Sequence, residues 1–444
     1  MLASITRAAR SDIMMIVAQR GWQAASGLMT VALVAHFLSP VQQGWYYSFL
    51  SLAAIYTLFD LGLSIVIIQL TAHLFVSTQW LSKGHTSGES RHQFHALLRL
   101  SARIYLALAI AFLILLFPAG LVFFLHHGSA DAVPLNTWVP AWSVLCAATA
   151  TGILALPFIA VIEGSGRVRE AYQVRLAQGV VGALGAWVAI ACGKGLWAPA
   201  LPAIAAPVIA AAWIAWRRPG LITAVRHATE GAHISWRNEI WPLQWRIGLS
   251  WLSGYLLTQI YTPLLFHTQG AVVAGQMGLS LTIANMLGLL AQSWMARRIP
   301  AMAQAASRRD WPRLDALFKH DFRTSTLAFI AGALVLCGMR FLLDRTAYAT
   351  RVLPFWPFAG LLGVALLNNV IGMLAAQLRS FRREPLVWVA VAGACLTVPI
   401  SAWAAQRYSA EGVVVALLLV QTVFILPVST FVWRRCNQLW RLPS

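Results

Sequence analysis

Apolar runs of about twenty residues recur from one end of this 444-residue chain to the other, each long enough to carry a helix across a hydrocarbon core of roughly 30 Å. Nothing else in the sequence constrains the fold as strongly, because a span in lipid has to satisfy its own backbone hydrogen bonds. Only 11% of the residues are charged and the mean hydropathy is +0.69, whereas soluble domains carry about a quarter charged residues. The chain is therefore expected to be an all-α polytopic membrane protein.

Read span by span, the pattern predicts twelve helices near residues 12–38, 45–75, 101–125, 138–162, 171–192, 196–216, 241–267, 271–294, 324–343, 355–378, 385–405 and 412–433. The first is too long, and too well followed by others, to be a cleaved leader. The net charge of +19 sits in short tracts between spans, which argues for membrane orientation and against nucleic acid as a partner. Arg7, Arg10, Lys83, Arg91, Arg99, Arg167, Arg169, Arg217, Arg218, the run from Arg297 to Arg323, Arg379, Arg382, Arg383, Arg434 and Arg435 all fall on the termini or the even-numbered connections. The odd-numbered connections hold Lys194, Arg340, Arg345, Arg351 and Arg407. Both termini are accordingly expected in the cytoplasm. The five cysteines, Cys146, Cys192, Cys337, Cys395 and Cys436, have neither disulfide-framework nor metal-site spacing, so no metal and no cofactor is expected.

Self-similarity divides the chain. The segment PVQQGWYYSFLSLA from Pro40 aligns with AVVAGQMGLSLTIA from Ala271, matching Gly44 to Gly275, and RVREAYQV from Arg167 parallels FRREPLVW from Phe381. Two six-helix bundles, residues 1–216 and 241–444, joined by a polar cytoplasmic linker at 217–240, account for both matches.

A few charges lie inside spans, where they are costly enough to need a reason. Asp60, in TLFDLGLSIVII, is the one acidic residue well within a predicted span, and Arg20 is the deep basic residue of the first. Each is twenty residues from the turn at Pro40, so at about 1.5 Å per residue they share a depth. Two readings stay open: a structural ion pair, or a cavity site where Arg20 offers a charged fork to a phosphate while Asp60 tunes it or takes up a coupling cation. Arg246, just inside the seventh span, either snorkels to headgroups or lines the same site. Gln23, Gln69, Gln259, Asn285, Gln292, Asn368, Asn369 and Gln377 are cavity-lining residues or helix–helix glue.

Four stretches resemble the bacterial polysaccharide transporters, the O-antigen (lipid-linked oligosaccharide) flippase-like family of the multidrug/oligosaccharidyl-lipid/polysaccharide exporter superfamily. They are LSPVQQGWYYSFLSLAAIYTLFDLGLSIVIIQLTAH from Leu38, EGSGRVREAYQVRLAQ from Glu163, WRNEIWPLQWRIGLSWLSGYLLTQIYTPLLFHTQGAVVAGQMGLSLTIAN from Trp236, and SWMARRIPAMAQAASRRDWPRLDALF from Ser293. The resemblance implies two pseudo-symmetric six-helix bundles around a central cavity. It implies passage of an undecaprenyl-diphosphate-linked glycan, an O-antigen or exopolysaccharide repeat unit, across the cytoplasmic (inner) membrane by alternating access. Polysaccharide polymerase and chain-length proteins of lipopolysaccharide or exopolysaccharide assembly are the implied partners. By position, Arg20 and Arg246 would receive the diphosphate, with Asp60 beside Arg20. Members with fourteen spans add two helices for the lipid tail, and this chain has twelve.

A multidrug/cation antiporter of the same fold is the main rival, with Asp60 as the coupling acid. A membrane enzyme, a polymerase or ligase of the same pathway, is a weaker one: the outward connections are short, and His126 and His127 beside Asp131 are the one suggestive cluster. Phosphate-cradling glycine loops, zinc-binding histidine helices and nucleophile elbows are absent from the sequence. The expectation is a transporter, not an enzyme.

Overall fold

The computed structural model describes residues 2–127, 133–226, 236, 240–381 and 383–441. It is helical almost throughout: α1 (Leu2–Phe37), α2 (Pro40–Ala53), α3 (Tyr56–Asp60), α4 (Leu63–Leu74), α5 (Arg91–His127), α6 (Leu135–Gly164), α7 (Val168–Ala191), α8 (Ala200–Arg217), α9 (Pro219–Arg226), α10 (Trp241–Thr258), α11 (Tyr261–Gln269), α12 (Ala271–Ser307), α13 (Trp311–Leu343), α14 (Phe355–Arg379), α15 (Val387–Val420) and α16 (Leu426–Leu439). Among the described residues, nine helical stretches are long and apolar enough to cross a membrane. The last of them, Val387–Leu439, has 53 residues, about twice what one pass needs. Ser409, at φ 54° and ψ −148°, interrupts it. A β-carbon on Gly393 would lie 2.7 Å from Ile425 Cδ1. Those residues stand sixteen before and sixteen after Ser409, so this stretch doubles back on itself and supplies the two final spans the hydropathy pattern predicts. The chain is a multi-pass membrane protein of all-α class.

Several helices outrun their apolar windows. α12 continues to Ser307 and α13 begins at Trp311, because the arginine-rich extensions reach water while the helix persists; Asp310 caps α13 by accepting from the Arg313 amide at 3.2 Å. One feature lies outside the predicted pattern. Between the second and third spans, β1 (Thr78–Trp80) and β2 (Thr86–Gly88) form a two-stranded antiparallel hairpin pairing Thr78 with Gly88 and Trp80 with Thr86.

The chain separates into two compact units. Unit 1 holds Met1–Leu38 and Phe49–Leu252, and unit 2 holds Ser39–Ser48 and Ser253–Ser444. Ser39–Ser48, at the start of the second span, thus packs within unit 2. Gly44 lies against α12 there, so close that a β-carbon would fall 1.8 Å from the Ala271 carbonyl oxygen. Gln43 donates to the carbonyls of Gly275 at 2.9 Å and Arg351 at 2.8 Å. The two glycines matched as repeat equivalents, Gly44 and Gly275, therefore meet directly: a β-carbon on Gly275 would lie 2.8 Å from the Gly44 nitrogen. Small residues at a helix crossing let backbones approach where lipid gives no hydrophobic drive to association.

Within unit 1, α1 packs on α7, and α6 is flanked by α4, α5 and α8. Phe49, Phe124, Trp138 and Trp142 form a buried aromatic cluster within it. Within unit 2, Met295, Met302, Leu314, Phe318 and Met373 form a core where α12, α13 and α14 converge.

Candidate functional site

The second span is broken at the aspartate that the sequence singles out. α3 ends at Asp60, Leu61 and Gly62 both adopt left-handed backbone (φ 42° and 70°), and α4 restarts at Leu63. A left-handed leucine costs about 1–2 kcal/mol, and the restart frees amides that have no intrahelical partner. Asp60 answers that need. Its Oδ1 accepts from the Ser64 amide at 3.4 Å, from Ser64 Oγ at 2.8 Å and from the Tyr105 hydroxyl of α5. Ser64 Oγ and Tyr105 Oη are themselves 3.0 Å apart, which closes a three-membered polar cluster. Asp60 is 7% exposed and Tyr105 fully buried. A broken helix at membrane depth survives when side chains re-satisfy its backbone in this way.

The break also admits α10. A β-carbon on Gly62 would lie 2.1 Å from Ile247 Cγ2, and one on Gly248 would lie 3.0 Å from Leu61 Cβ. Glycine on each side lets the two backbones interlock. The backbone of Arg246, one residue before Ile247, is thereby placed beside the Asp60 turn, while its side chain lies outside the described residues.

Arg20 is exposed on α1. Among the described residues, no ion pair within 4.0 Å joins it to Asp60. Equal depth does not make two helices face each other: α1 is held to α7, by Trp22 against Trp187 at 6.1 Å and by Trp187 donating to Thr30 Oγ1 at 2.9 Å. The Asp60 segment turns instead toward α5 and α6. Among the described residues, Ser64 and Tyr105 supply the hydrogen bonds to the Asp60 carboxylate, and the Arg20 guanidinium has no carboxylate within 4.0 Å.

Other polar contacts define what holds the bundles. In unit 1, Glu170 takes a bidentate pair from Arg218, Nη2 at 2.6 Å and Nε at 3.0 Å, and a hydrogen bond from Trp213 Nε1 at 3.1 Å. The Trp80 ring of the hairpin covers the same guanidinium at 4.7 Å. In unit 2, Asn369 donates to Ser325 Oγ at 3.3 Å, Gln421 to Asn368 at 2.9 Å and Trp433 to Gln377 at 2.7 Å. Asn368, Asn369 and Gln377 therefore act as glue between helices. Asp321, just before the predicted ninth span, is a second buried acid. It is fully buried within α13, with His320 Nδ1 at 3.0 Å and Arg298 Nε at 3.6 Å.

Sequence reasoning missed Tyr105, Ser64, Asp321 and the Glu170–Arg218 pair. Ser64 was available as the i+4 neighbour of Asp60. Tyr105 carried no signal, since nothing in its own span points to the second. His126 bonds to the Val122 carbonyl of its own helix at 3.0 Å, while the side chain of His127 and residue Asp131 lie outside the described residues. Among the described residues, no three His, Cys, Asp or Glu side chains gather as metal ligands.

No protein-family model matches the chain, and no curated protein matches it by sequence. Solved structures do. A multidrug resistance MATE family transporter of the MOP superfamily, in an inward-facing conformation, aligns with a TM-score of 0.63 at 13% identity over 94% of this chain and 99% of its own. The lipid II flippase MurJ, in an inward closed conformation, aligns with a TM-score of 0.62 at 13% identity over 95% and 87%. The MATE multidrug transporter DinF-BH aligns with a TM-score of 0.58 at 13% identity over 98% and 96%. This chain therefore shares the all-helical fold of these structures over nearly its whole length.

Proposed function

We propose that this protein is a flippase that carries a lipid-diphosphate-linked oligosaccharide, an O-antigen or exopolysaccharide repeat unit on an undecaprenyl carrier, across the cytoplasmic membrane by alternating access. One observation carries the reading: the deep carboxylate Asp60 is already bonded to Tyr105 and Ser64, whereas Arg20 stands exposed with no carboxylate partner among the described residues. The charge left over is positive. A guanidinium fork suits a diphosphate and repels a cationic drug. Arg20 is the proposed diphosphate contact, Arg246 the second, and Asp60 the residue that holds the broken second span open to them. The arginine asymmetry supports a cytoplasmic position for both termini, and a polysaccharide polymerase and chain-length proteins are the proposed partners downstream.

A cation antiporter is the second reading, favoured by the burial of Asp60 at a helix break, where proton or cation uptake would rearrange Tyr105 and Ser64. Cells lacking the protein separate the two. A flippase leaves lipid-diphosphate-linked oligosaccharide in the inner leaflet and depletes surface polysaccharide. An antiporter changes sensitivity to cationic dyes without build-up of the lipid-linked intermediate.

A further inference from the structure

At one end of unit 2 three separate connections converge. Trp311 opens α13, Phe381 follows α14 and Trp440 follows α16. Their rings form a row: Trp311 stacks on Phe381 at 6.0 Å and 26°, and Phe381 meets Trp440 at 5.4 Å, tilted by 59°. Guanidinium groups lie over both ends of the row: Arg441 over Trp311 at 5.6 Å and Arg383 over Trp440 at 5.2 Å. Arg441 is fixed there by a bidentate pair with Asp315, at 2.6 and 2.8 Å, so the platform is rigid. Arg383 has no such anchor. Arg308, Arg309, Arg313, Arg383, Arg434 and Arg435 are all exposed, and no carboxylate lies within 4.0 Å of any of them among the described residues. The exposed acid Glu384 is taken by Arg379 at 2.9 Å.

We propose that this aromatic–arginine platform is a binding site for the phosphate headgroups of anionic phospholipids in the leaflet at this end of unit 2. Charge alone would orient a span; a built site needs fixed donors at the right depth. The platform supplies them at the ends of membrane-spanning helices, directly beneath the apolar core of Met302, Leu314 and Phe318, where aromatic rings settle at the headgroup level. Nucleic acid is a poorer fit, because the ring faces that bases would stack on are covered by one another and by guanidinium groups. Diphosphate of the transported lipid is a separate matter, since this site lies on unit 2 and involves neither Arg20 nor Asp60.

The test uses the full-length protein in phosphatidylcholine nanodiscs doped with spin-labelled phosphatidylglycerol or spin-labelled phosphatidylcholine, with the motionally restricted fraction read by electron paramagnetic resonance. A basic side chain at an anionic surface is worth roughly fivefold in association at low salt. The wild type should therefore restrict phosphatidylglycerol several-fold more than phosphatidylcholine. The triple variant Arg383→Gln/Arg434→Gln/Arg435→Gln should lose most of that preference, while Arg91→Gln/Arg103→Gln/Arg169→Gln in unit 1 should keep it. Equal restriction of the two lipids by the wild type, or a preference that both triple variants retain or both lose, would overturn the proposal. A second reading needs no variant: at about 1 M salt, where the Debye length falls to about 3 Å, the wild-type preference should collapse, and a salt-independent preference would also overturn it.

Discussion

Gly62 and Ile247 interlock: a β-carbon on the glycine would sit 2.1 Å from Cγ2 of the isoleucine, at a backbone φ of 70° that side-chain-bearing residues rarely adopt. Gly62→Ala should then cost about 1–2 kcal/mol for the left-handed backbone and a further 1–3 kcal/mol, roughly, for overpacking. Adding Ile247→Ala should recover the second part and leave the first. Thermal unfolding of the purified protein in detergent checks both. A Gly62→Ala variant that melts with the wild type would mean that α10 does not approach the break.

The Asp60–Tyr105 bond makes a prediction of the opposite kind. Tyr105→Phe removes a donor from a buried carboxylate and should destabilise unit 1 by about 1–3 kcal/mol. Because the two groups share one hydrogen bond, Asp60→Ala and Tyr105→Phe together should cost less than the sum of the separate changes. Strict additivity in the double-mutant cycle would show that the bond contributes nothing. On the flippase account Asp60→Asn should also retain much of its export, since asparagine can still accept from Ser64 and Tyr105; on the antiporter account it should abolish transport.

Glu170 and Arg218 have side chains 14% and 10% exposed, buried enough that stranding one charge is expensive. Arg218→Gln should cost about 3–5 kcal/mol, and Glu170→Gln combined with it should restore most of the loss. Arg218→Lys should rescue poorly, because it forfeits both the bidentate geometry and the guanidinium face against Trp80. Protection of the Thr78–Gly88 hairpin from proteolysis is the sensitive readout, since Trp80 rests on this residue. A lysine variant as protected as the wild type would contradict the geometry.

The extent to which all this was legible follows from where the determining forces act. Span positions came through because each helix must be apolar for about 30 Å on its own account. The break at Leu61–Gly62 was hidden because the groups packed against it, Ile247 and Tyr105, lie on other helices far along the chain. Asp60 stood out as a charge inside a span, but the depth arithmetic that sets it level with Arg20 says nothing about which way a helix faces. Tyr105 and Asp321 were missed for related reasons: a tyrosine in an apolar run and an aspartate at a span end both look ordinary until packing buries them. The Thr78–Gly88 hairpin lay in a connection too polar and short for periodicity to register.

The flippase reading turns on the exposed guanidinium of Arg20 receiving the diphosphate of a lipid-linked glycan. The most direct measurement quantifies lipid-diphosphate-linked oligosaccharide in cells lacking the protein and complemented with wild type, Arg20→Lys or Arg20→Ala, at matched membrane levels of each. The account predicts that wild type clears the build-up and Arg20→Ala leaves nearly all of it. Arg20→Lys should fall between, since lysine keeps the charge and loses the fork. Full clearance by Arg20→Ala would contradict the phosphate contact, and absence of any build-up in the cells lacking the protein would contradict the flippase itself.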